Sequence, residues 1–526
     1  MKKGFSKVDR LVFVLFFATS LVLISSIGDT ATTAPKTTAV KPSTPKVTPQ
    51  YGGTLIIRHT LPTSMGYPPR SRSIADLDHS PICVDTLLRF DEKGRPVPWL
   101  ATSWKYSSDI KSLTLTLRRD VKFHDGTDFN AAAVKTNLDT CKAGKRVELA
   151  SVSSIDVVDT YTVRLNLSSV DAYLLTNLAE IVGLMISPAA LAKGADWCMT
   201  NPVGTGPFKQ VSYQSGVRVR FEKWSGYWQK GKPYLDAVEL VNIPDDMTAA
   251  AAFRKGEITT MSTRDAAILK DLKEANVSVI ASYLTLAPDS AHPNSPFSDL
   301  KVRQAVAYAI DCNTLQKSFS GDLWTYSNQL VDKSSIFYTP NIIGYPFNVQ
   351  KAKDLLASSR YPNGFKADYI YQNQYNNGSL AAAIQAMLAK INVQVNLKPL
   401  GSAEATALRT EGWQNGLLQI ALGSDPGKDP GREMAGKLAK DSGMYSVVAR
   451  SAEYDAILDK LVTEPDFDKR IALNQQLMKQ QIDGECMVFY VFNNGWLYIK
   501  SPKLKDAKRG EIWYHQWPAE DAWLSK

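Results

Sequence analysis

A glycine-rich stretch at residues 201–208 (NPVGTGPF) has the composition of a loop that cradles phosphate groups. Such a loop uses a third glycine or a Lys-Ser/Thr pair, and it lies directly before a helix whose N-terminus holds the phosphate. Here Pro207 interrupts the stretch, Lys209 replaces the third glycine, and the alternating residues 217–222 (VRVRFE) are typical of a strand. The spacing therefore argues against a nucleotide-binding site.

Two small groups of His and Asp residues could support catalysis or metal binding. His124 and Asp125 could form half of a catalytic dyad, but a turn before a capped helix explains the pair more simply. Asp76, Asp78 and His79 have ligand-type side chains, although we favour a solvated loop over a metal site. The sequence has no G-x-S-x-G, P-loop or H-E-x-x-H motif. We therefore expect no catalytic residues, no metal site and no cofactor.

Length and charge narrow the class of protein. A chain of 526 residues exceeds what one core supports, and at roughly 150 residues per domain it predicts two to four domains. Residues 1–50 contain seven Lys/Arg and two Asp, a net +5 of the total +9, which leaves only +4 for the remaining 476 residues. Because nucleic-acid binding needs a concentrated basic face, we expect no nucleic-acid partner.

The first 50 residues predict an export signal and a tether. Basic residues precede the apolar stretch 11–24, which is shorter than the roughly 20 residues that span a bilayer. A cleaved signal peptide of residues 1–28 and an uncleaved N-terminal anchor both fit this pattern. Residues 29–50, rich in Thr, Pro and Lys, predict a disordered tether. We therefore expect an exported protein, periplasmic or at the cell surface, with membrane tethering as one alternative.

The five cysteines are widely spaced and form no C-x-x-C pair; they are Cys83, Cys141, Cys198, Cys312 and Cys486. A structural zinc site is therefore not expected. One or two disulfides are compatible with an exported protein, but the spacing does not determine their pairing.

Hydrophobic periodicity predicts an α/β chain. Strands are expected at residues 53–59, 113–118, 161–167, 217–222, 237–243, 367–371, 393–397 and 487–492. Helices are expected at residues 131–140, 299–310, 349–356, 379–390, 452–462 and 468–481. The regular alternation of strands and helices after residue 290 is typical of a sheet that carries a binding crevice at its strand ends.

Four segments together resemble the family 5 extracellular solute-binding proteins, the dipeptide-, oligopeptide- and nickel-binding receptors of ABC importers. They are residues 51–55 (YGGTL), residues 85–128 with their Pro-Trp-Leu-Ala and His-Asp-Gly motifs, residues 202–208 followed by Tyr227-Trp228, and residues 303–311. The segments occur in family order over about 450 residues. Any one of them could arise by chance, but their combination is specific.

This resemblance implies a two-lobed periplasmic-binding-protein-like α/β fold with a hinge between the lobes and an extra β-rich subdomain in the first lobe. We expect the first lobe at residues 51–290, with the inserted subdomain at about 85–200. The second lobe is expected at residues 291–494, and residues 495–526 return to the first. The turn around Gly204 and Gly206 would lead from the subdomain back to the main sheet, its glycines supplying backbone angles that other residues resist.

The resemblance also implies an acidic residue of the second lobe that holds the ligand's ammonium group. Asp425 is the first candidate and Asp429 the second. Gly423 and Ser424 stand where the family usually has an aromatic residue, which keeps solutes other than peptides open. Further candidates to line the cleft follow or end predicted strands: Met65, Tyr67, Met261, Tyr371, Gln372, Gln374 and Trp413.

The implied function is capture of a peptide or similar small solute between the lobes and its delivery to an ABC permease. We expect a monomer without enzymatic activity. One alternative is a nickel chelate, a sugar or another solute on the same scaffold. A remote alternative is a secreted hydrolase, which would need a nucleophile and a base that the sequence does not offer.

Overall fold

Two mixed β-sheets form the centres of the two lobes in the computed structural model. The structure describes residues 48–59, 64–65, 67–71, 78–280, 282–320, 323, 326–373, 377–423, 429–493, 495–511 and 516–526. Residues 49–526 form one compact unit, while the predicted signal segment and nearly all of the tether lie outside the described residues. No helix within the described ranges is long and apolar enough to cross a membrane.

The strands follow the predicted alternation closely. They are β1 Thr54–Arg58, β2 Leu88–Phe90, β3 Pro96–Pro98, β4 Ala101–Tyr106, β5 Ser112–Leu117, β6 Val152–Asp159, β7 Thr162–Leu167, β8 Phe208–Gln214, β9 Arg218–Lys223, β10 Ala237–Val241, β11 Thr260–Thr263, β12 Asn276–Ile280, β13 Ser282–Pro288, β14 Phe365–Gln372, β15 Val393–Leu400, β16 Gly416–Gly423, β17 Phe489–Asn493, β18 Trp496–Lys500, β19 Leu504–Lys505 and β20 Trp523–Leu524. Every strand predicted from periodicity is therefore confirmed, with ends that shift by a few residues.

The helices pack against the sheets and against one another. They are α1 Ser80–Cys83, α2 Ala131–Ala143, α3 Leu174–Leu178, α4 Pro188–Leu191, α5 Ala195–Thr200, α6 Asp246–Lys255, α7 Leu300–Ala309, α8 Cys312–Ser320, α9 Val349–Ala357, α10 Asn377–Ala389, α11 Ser402–Glu411, α12 Pro430–Leu438, α13 Ala452–Val462 and α14 Phe467–Lys479. Asn130 caps α2 by accepting from the Ala133 amide, 3.0 Å away, as the sequence predicts. All the predicted helices are present.

The chain passes between the two lobes twice. The first-lobe sheet has the strand order β12-β18-β11-β1-β10-β9-β8, and the second-lobe sheet has the order β15-β14-β16-β13-β17. One passage therefore lies between β12 and β13, around residue 281, and the other lies between β17 and β18, around residue 494. Two short connections between rigid sheets are what a hinge requires.

The first passage lies earlier than the residue 290 boundary expected from the sequence. The fully buried strand β13 already pairs with β16 and β17 of the second lobe, so residues 282–290 belong to that lobe. The predicted boundary followed the change in helix content after residue 290, but the lobe begins with a strand.

The inserted subdomain is built on a four-stranded antiparallel sheet in the order β4-β5-β7-β6. Alternate residues of its strands, among them Leu113, Leu115, Val163 and Leu165, are buried against α2. The alternation that predicted half-buried strands thus reflects one face on a core and one face in water.

A buried carboxylate, Asp85, ties this subdomain to the first-lobe sheet. The indole Nε1–H of Trp99 donates to Asp85 Oδ1 at 2.7 Å. The Thr205 hydroxyl and the Trp228 indole donate to Oδ2 at 2.9 and 3.1 Å. Arg89 lies 3.4 Å from Oδ1. Residues from two of the four segments recognised in the sequence therefore meet at one side chain.

The glycines of the residue 201–208 turn serve a different purpose from the one expected. Neither Gly204 nor Gly206 has a positive φ. A Cβ atom on Gly204 would instead lie 2.3 Å from the Cys83 carbonyl oxygen, and one on Gly206 would lie 2.6 Å from the Cys83 carbonyl carbon. The predicted special backbone angles are wrong, because the glycines are needed for close approach of two backbone segments.

The five cysteines are unpaired thiols in this fold. Cys83, Cys141, Cys198 and Cys486 are buried, and Cys312 is partly buried. Burial raises the pKa of the Cys141, Cys312 and Cys486 thiols to about 12.

Candidate functional site

A cavity of about 80 Å³ lies where the first lobe meets the sheet of the second lobe. Arg264, directly after β11, enters it from the first lobe, and the other nine described lining residues come from the second lobe. Gln372 marks the end of β14, while Gln419 lies within β16. The crevice at strand ends is the usual place for a ligand in an open α/β sheet.

Two guanidinium groups and three side-chain amides give the cavity its chemistry. Arg264 stacks on the ring of Trp496, 4.9 Å from its centroid, at the start of β18. Arg409 projects from α11. None of the ten described lining residues is acidic, and the five that are not Arg, Gln or Asn are apolar. The described lining therefore combines guanidinium and amide groups with a partly apolar wall.

The amides of the cavity are oriented by hydrogen bonds within the second lobe. Gln372 donates from Nε2 to Ser402 Oγ at 2.7 Å, and Asn377 donates to the Gln372 carbonyl at 2.9 Å. The Tyr369 hydroxyl donates to Gln419 Oε1 at 2.9 Å. With its oxygen occupied in this way, Gln419 retains the two N–H groups of its amide as donors.

The predicted cleft residues are divided between the cavity and the core. Gln372 lines the cavity, whereas Gln374 and the first-choice carboxylate, Asp425, lie outside the described residues. Five others are buried side chains of the two lobes and do not line the cavity: Met65, Tyr67, Met261, Tyr371 and Trp413. Trp413 donates from its indole to the Gly416 carbonyl at 3.1 Å, and Met261 points inward from β11. Their burial supports packing roles in this conformation.

Asp429, the second candidate for an ammonium-binding carboxylate, is engaged within the protein. It caps α12 by accepting from the Gly431 amide at 3.0 Å. The Tyr173 hydroxyl donates to the same oxygen, Oδ1, at 3.4 Å, and the other oxygen, Oδ2, lies 3.2 Å from Arg470 Nε. Burial raises the pKa of Asp429, and the charge of Arg470 opposes that rise. A ligand ammonium would have to displace at least one of these partners.

The inserted subdomain touches the second lobe through a set of polar groups that we call the interlobe contact. It comprises Ala172, Tyr173, Asn177 and Glu180 on one side and Asp429, Arg432 and Val462 on the other. Arg432 pairs with Glu180 at 2.6 Å and donates to Asn177 Oδ1 at 2.8 Å. The Ala172 amide donates to the Val462 carbonyl at 3.1 Å. The two lobes therefore meet outside the cavity as well as around it.

His124 and Asp125 have structural roles, as the sequence suggests. Asp125 accepts from the Thr127 amide at 3.0 Å and from the Ser187 hydroxyl. His124 Nε2 lies 2.9 Å from the Gly206 carbonyl oxygen, so this nitrogen carries the proton and donates. No partner for Nδ1 is found among the described residues. The imidazole thus serves as a neutral buried donor that holds the glycine turn.

Protonation of His124 should weaken the fold in mild acid. Burial lowers its pKa to about 4, although the Gly206 carbonyl and nearby carboxylates oppose this effect. Because the folded pKa is below the ordinary value near 6.5, unfolding takes up a proton between these two pH values. The free energy of unfolding should therefore fall by about 3 kcal/mol as pH drops through this window.

This prediction can be measured by urea unfolding at pH 7.5 and pH 4.5. In a His124→Gln variant the amide can still donate to Gly206 but cannot titrate, so its loss of stability between the two pH values should be about 3 kcal/mol smaller than that of the wild type. Equal losses in the two proteins would contradict the assignment.

Asp78 and His79 are buried, so the predicted solvated loop is wrong for these two residues. Asp78 Oδ2 lies 2.7 Å from Arg509 and 3.3 Å from His59 Nε2, and the Trp517 indole donates to the Asp78 carbonyl at 2.8 Å. Arg509 and His59 lower the pKa of Asp78 to about 2 against the opposing effect of burial. Asp76 lies outside the described residues. No group of three or more metal-ligating side chains occurs in the described part of the chain.

The two arginines of the cavity were missed by the sequence analysis. They are 145 positions apart in the chain, and neither belongs to a motif. The position of Arg264 could have identified it, because it directly follows a strand of the parallel part of the sheet, where crevice residues are expected. Met261, chosen by that reasoning, lies three residues too early and faces the core.

Comparison with known proteins places the chain among solute-binding proteins. Residues 95–434 match the family model described as bacterial extracellular solute-binding proteins, family 5 Middle. The glutathione-binding protein GsiB of Pectobacterium atrosepticum is 32% identical over 335 residues, which are 61% of this chain and 64% of that protein. The chain thus spans less than two thirds of the length of this curated relative.

Two solved structures share the fold over nearly their whole length. The ABC transporter-associated periplasmic binding protein DppA of Helicobacter pylori, in complex with the peptide STSA, has a TM-score of 0.73 at 23% identity, covering 91% of this chain and 99% of that one. The binding protein AgaA of A. tumefaciens R10, in complex with agropinic acid, has a TM-score of 0.68 at 26% identity, covering 90% and 99%.

Proposed function

The chain belongs to the bacterial extracellular solute-binding proteins of family 5, and on that premise we propose that it captures a peptide or similar small solute between its lobes and delivers it to an ABC-type permease. The observation that carries the proposal is the polar cavity between Arg264 of the first lobe and the strand ends of the second. Because a bound solute would contact both lobes only when they are closed, binding would favour the closed form.

Peptides are the first class of solute. GsiB is named for binding glutathione, a tripeptide, and DppA has been solved with a peptide. The oriented amides of Gln372, Asn377 and Gln419 would suit the polar backbone of such a ligand. The role is one of binding without catalysis, supported by the structural engagement of His124 and Asp125.

A solute that is not a peptide is the second candidate. AgaA, solved with agropinic acid, is 26% identical to this chain. The residues Gly423 and Ser424, in place of the expected aromatic, are compatible with a ligand of a different shape. On either alternative we propose that the protein acts outside the cytoplasmic membrane as a monomer, with residues 29–50 linking the body to its N-terminal segment.

Titration calorimetry on the protein beginning at residue 29 would test the proposal. The panel comprises glutathione, other di- and tripeptides, sugars and nickel chelates. We expect saturable binding of one class, together with a smaller radius of gyration in small-angle scattering at saturation. An unchanged radius at saturation would contradict closure, and hydrolysis of a bound peptide would contradict a role limited to binding.

A further inference from the structure

We propose that a basic groove of the first lobe, which we call the amino-edge groove, is a contact surface for a bilayer that carries anionic phospholipids. The groove measures about 1280 Å³, and its described lining falls within residues 54–56, 253–259, 270–275, 501–503 and 524–525. The inference rests on the proposed location outside the cytoplasmic membrane. It concerns a face of the protein that takes no part in solute binding.

The amino-edge groove and the solute cavity lie at opposite edges of the first-lobe sheet. Thr259 directly precedes β11 and lines the groove, whereas Arg264 directly follows the same strand and lines the cavity. An extended strand rises about 3.3 Å per residue, so the two sites are separated by the length of the strand. A bilayer that contacts the groove would therefore leave the cavity accessible to solute.

The N-terminal segment of the chain joins the body at the rim of this groove. The Lys526 backbone amide donates to Gln50 Oε1 at 3.2 Å, and the adjacent Ser525 lines the groove. Thr54, the first residue of β1, lines it as well. The body is therefore attached at this face to any membrane segment that precedes it in the chain.

This attachment favours a bilayer over an acidic protein as the partner. The tether expected at residues 29–50 has an end-to-end distance on the order of 25 Å as a flexible chain. A membrane anchor before it would hold the groove close to the lipid headgroups. Because such a linkage gives the two surfaces a high effective concentration, a weak electrostatic attraction is sufficient to orient the body.

The groove concentrates positive charge. Five basic and two acidic described residues line it, a net charge of +3, whereas the 476 residues after residue 50 together carry only +4. Arg254 lies 3.6 Å from Asp271. Lys270, Lys273 and Lys503 are exposed, and none of the three makes an ion pair with a described residue. A basic residue near an anionic bilayer surface contributes about fivefold in affinity.

The shape of the groove fits a broad surface better than a single small solute. Its volume of about 1280 Å³ exceeds the roughly 300–1,000 Å³ of small-molecule pockets. Ile258 and Leu272 form a buried apolar floor, and Phe253 and Leu524 are partly buried beside it. Lysine side chains can lay their apolar stems along such a floor while their ammonium groups reach the headgroup phosphates.

Sedimentation with lipid vesicles tests this inference on the protein that begins at residue 29. Vesicles of equal parts phosphatidylcholine and phosphatidylglycerol are compared with vesicles of phosphatidylcholine alone. Because three unpaired lysines contribute about fivefold each, the wild type should bind the anionic vesicles roughly 100-fold more tightly. Raising the ionic strength from about 0.1 to about 1 M shortens the Debye length from about 10 to about 3 Å and should remove most of this preference.

A triple variant of the groove locates the contact. When Lys270, Lys273 and Lys503 are all replaced by glutamine, the protein should bind the two kinds of vesicle within about threefold of each other. Replacing the same three residues by arginine should retain the preference for anionic vesicles, because the charge is kept. Melting temperatures near that of the wild type are expected for both variants, since the three side chains are exposed.

The matched control removes three charges from the other lobe. Lys353, Lys366 and Lys390 are exposed second-lobe lysines outside the groove, and none of them makes an ion pair with a described residue. Their replacement by glutamine changes the net charge equally but should keep the preference for anionic vesicles. An equal loss of preference in the control and the groove variant would overturn the groove as the contact surface.

The remaining outcomes separate this inference from the proposed function. Equal binding of the wild type to both kinds of vesicle would overturn the bilayer contact, and so would binding to soluble polyglutamate without binding to anionic vesicles. Solute affinity measured by calorimetry should be the same in the groove variant and the wild type. If no solute binds the folded wild type, the proposed function is contradicted, whereas a preference for anionic vesicles that depends on the groove lysines would still support the contact.

Discussion

Replacing Asp85 with asparagine should lower the free energy of unfolding by about 3–5 kcal/mol, the range for removing one partner of a buried, hydrogen-bonded charge. Two indoles and a hydroxyl donate to this carboxylate, and Arg89 lies beside it. An asparagine amide would turn two N–H donors toward groups that also donate. Among the described residues, Arg89 would retain its ion pair with Glu520, 2.7 Å away.

Urea unfolding followed by tryptophan fluorescence measures this effect. The matched control is Asp139→Asn, because Asp139 is exposed on α2 and pairs with Lys135 at 2.8 Å as an i,i+4 surface pair. Such pairs contribute about 0.3–0.5 kcal/mol, so the control should unfold close to the wild type. If Asp85→Asn lowers the free energy of unfolding no more than Asp139→Asn does, the hydrogen bonds to Asp85 do not stabilise the fold.

Replacing Arg432 with glutamine should open the molecule in the absence of solute. Arg432 pairs with Glu180 and donates to Asn177 across the interlobe contact, and both charged side chains are largely buried. Because the inserted subdomain is fixed to the first lobe through Asp85, a hinge opening must break these bonds. Loss of one partner of such a pair costs about 2–5 kcal/mol, which would shift the lobes toward the open form.

Hydrogen exchange and scattering report this opening without any ligand. The Ala172 amide, bonded to the Val462 carbonyl, should exchange about 30-fold faster or more in the variant, and the radius of gyration should increase. Arg95→Gln is the control: Arg95 pairs with Asp468 across the same lobes at 2.7 Å, but both side chains are exposed, so an effect below about 1 kcal/mol is expected. Equal exchange rates for Ala172 in wild type and Arg432→Gln would show that this contact does not hold the lobes together.

Local periodicity predicted eight strands and six helices of this chain, but it did not predict short strands such as β2 or the fully buried strand β13. Strands such as β5 and β7 alternate because one face is buried, and α2 begins at a capping Asn130. The family was recognisable because Trp99, Thr205 and Trp228 all donate to Asp85. Gly204 is required for the close approach of its backbone to Cys83. Residue types that one buried carboxylate or one close backbone approach requires can therefore be recognised in the sequence.

Tertiary partners distant in the sequence account for what could not be predicted. The burial of Asp78 depends on Arg509, 431 positions later, and the glycine turn is shaped by contact with Cys83 rather than by its own backbone angles. The two arginines that line the cavity are brought together only by the fold. For the same reason the assignment of Asp425 and Gln374 as ligand-binding residues stays a prediction.

The burial of the five thiols has a consequence for how such a chain reaches its destination. Folded, these thiols resist oxidants, since burial disfavours the thiolate that would react. In an unfolded chain the same thiols regain an ordinary pKa and can form any pairing that an oxidising compartment permits. For a member of an extracellular family, the extent of oxidative damage therefore depends on the rate of folding relative to the rate of thiol oxidation during export. A chain that folds before it is oxidised keeps all five thiols, whereas one that is oxidised first carries cross-links that are absent from this fold.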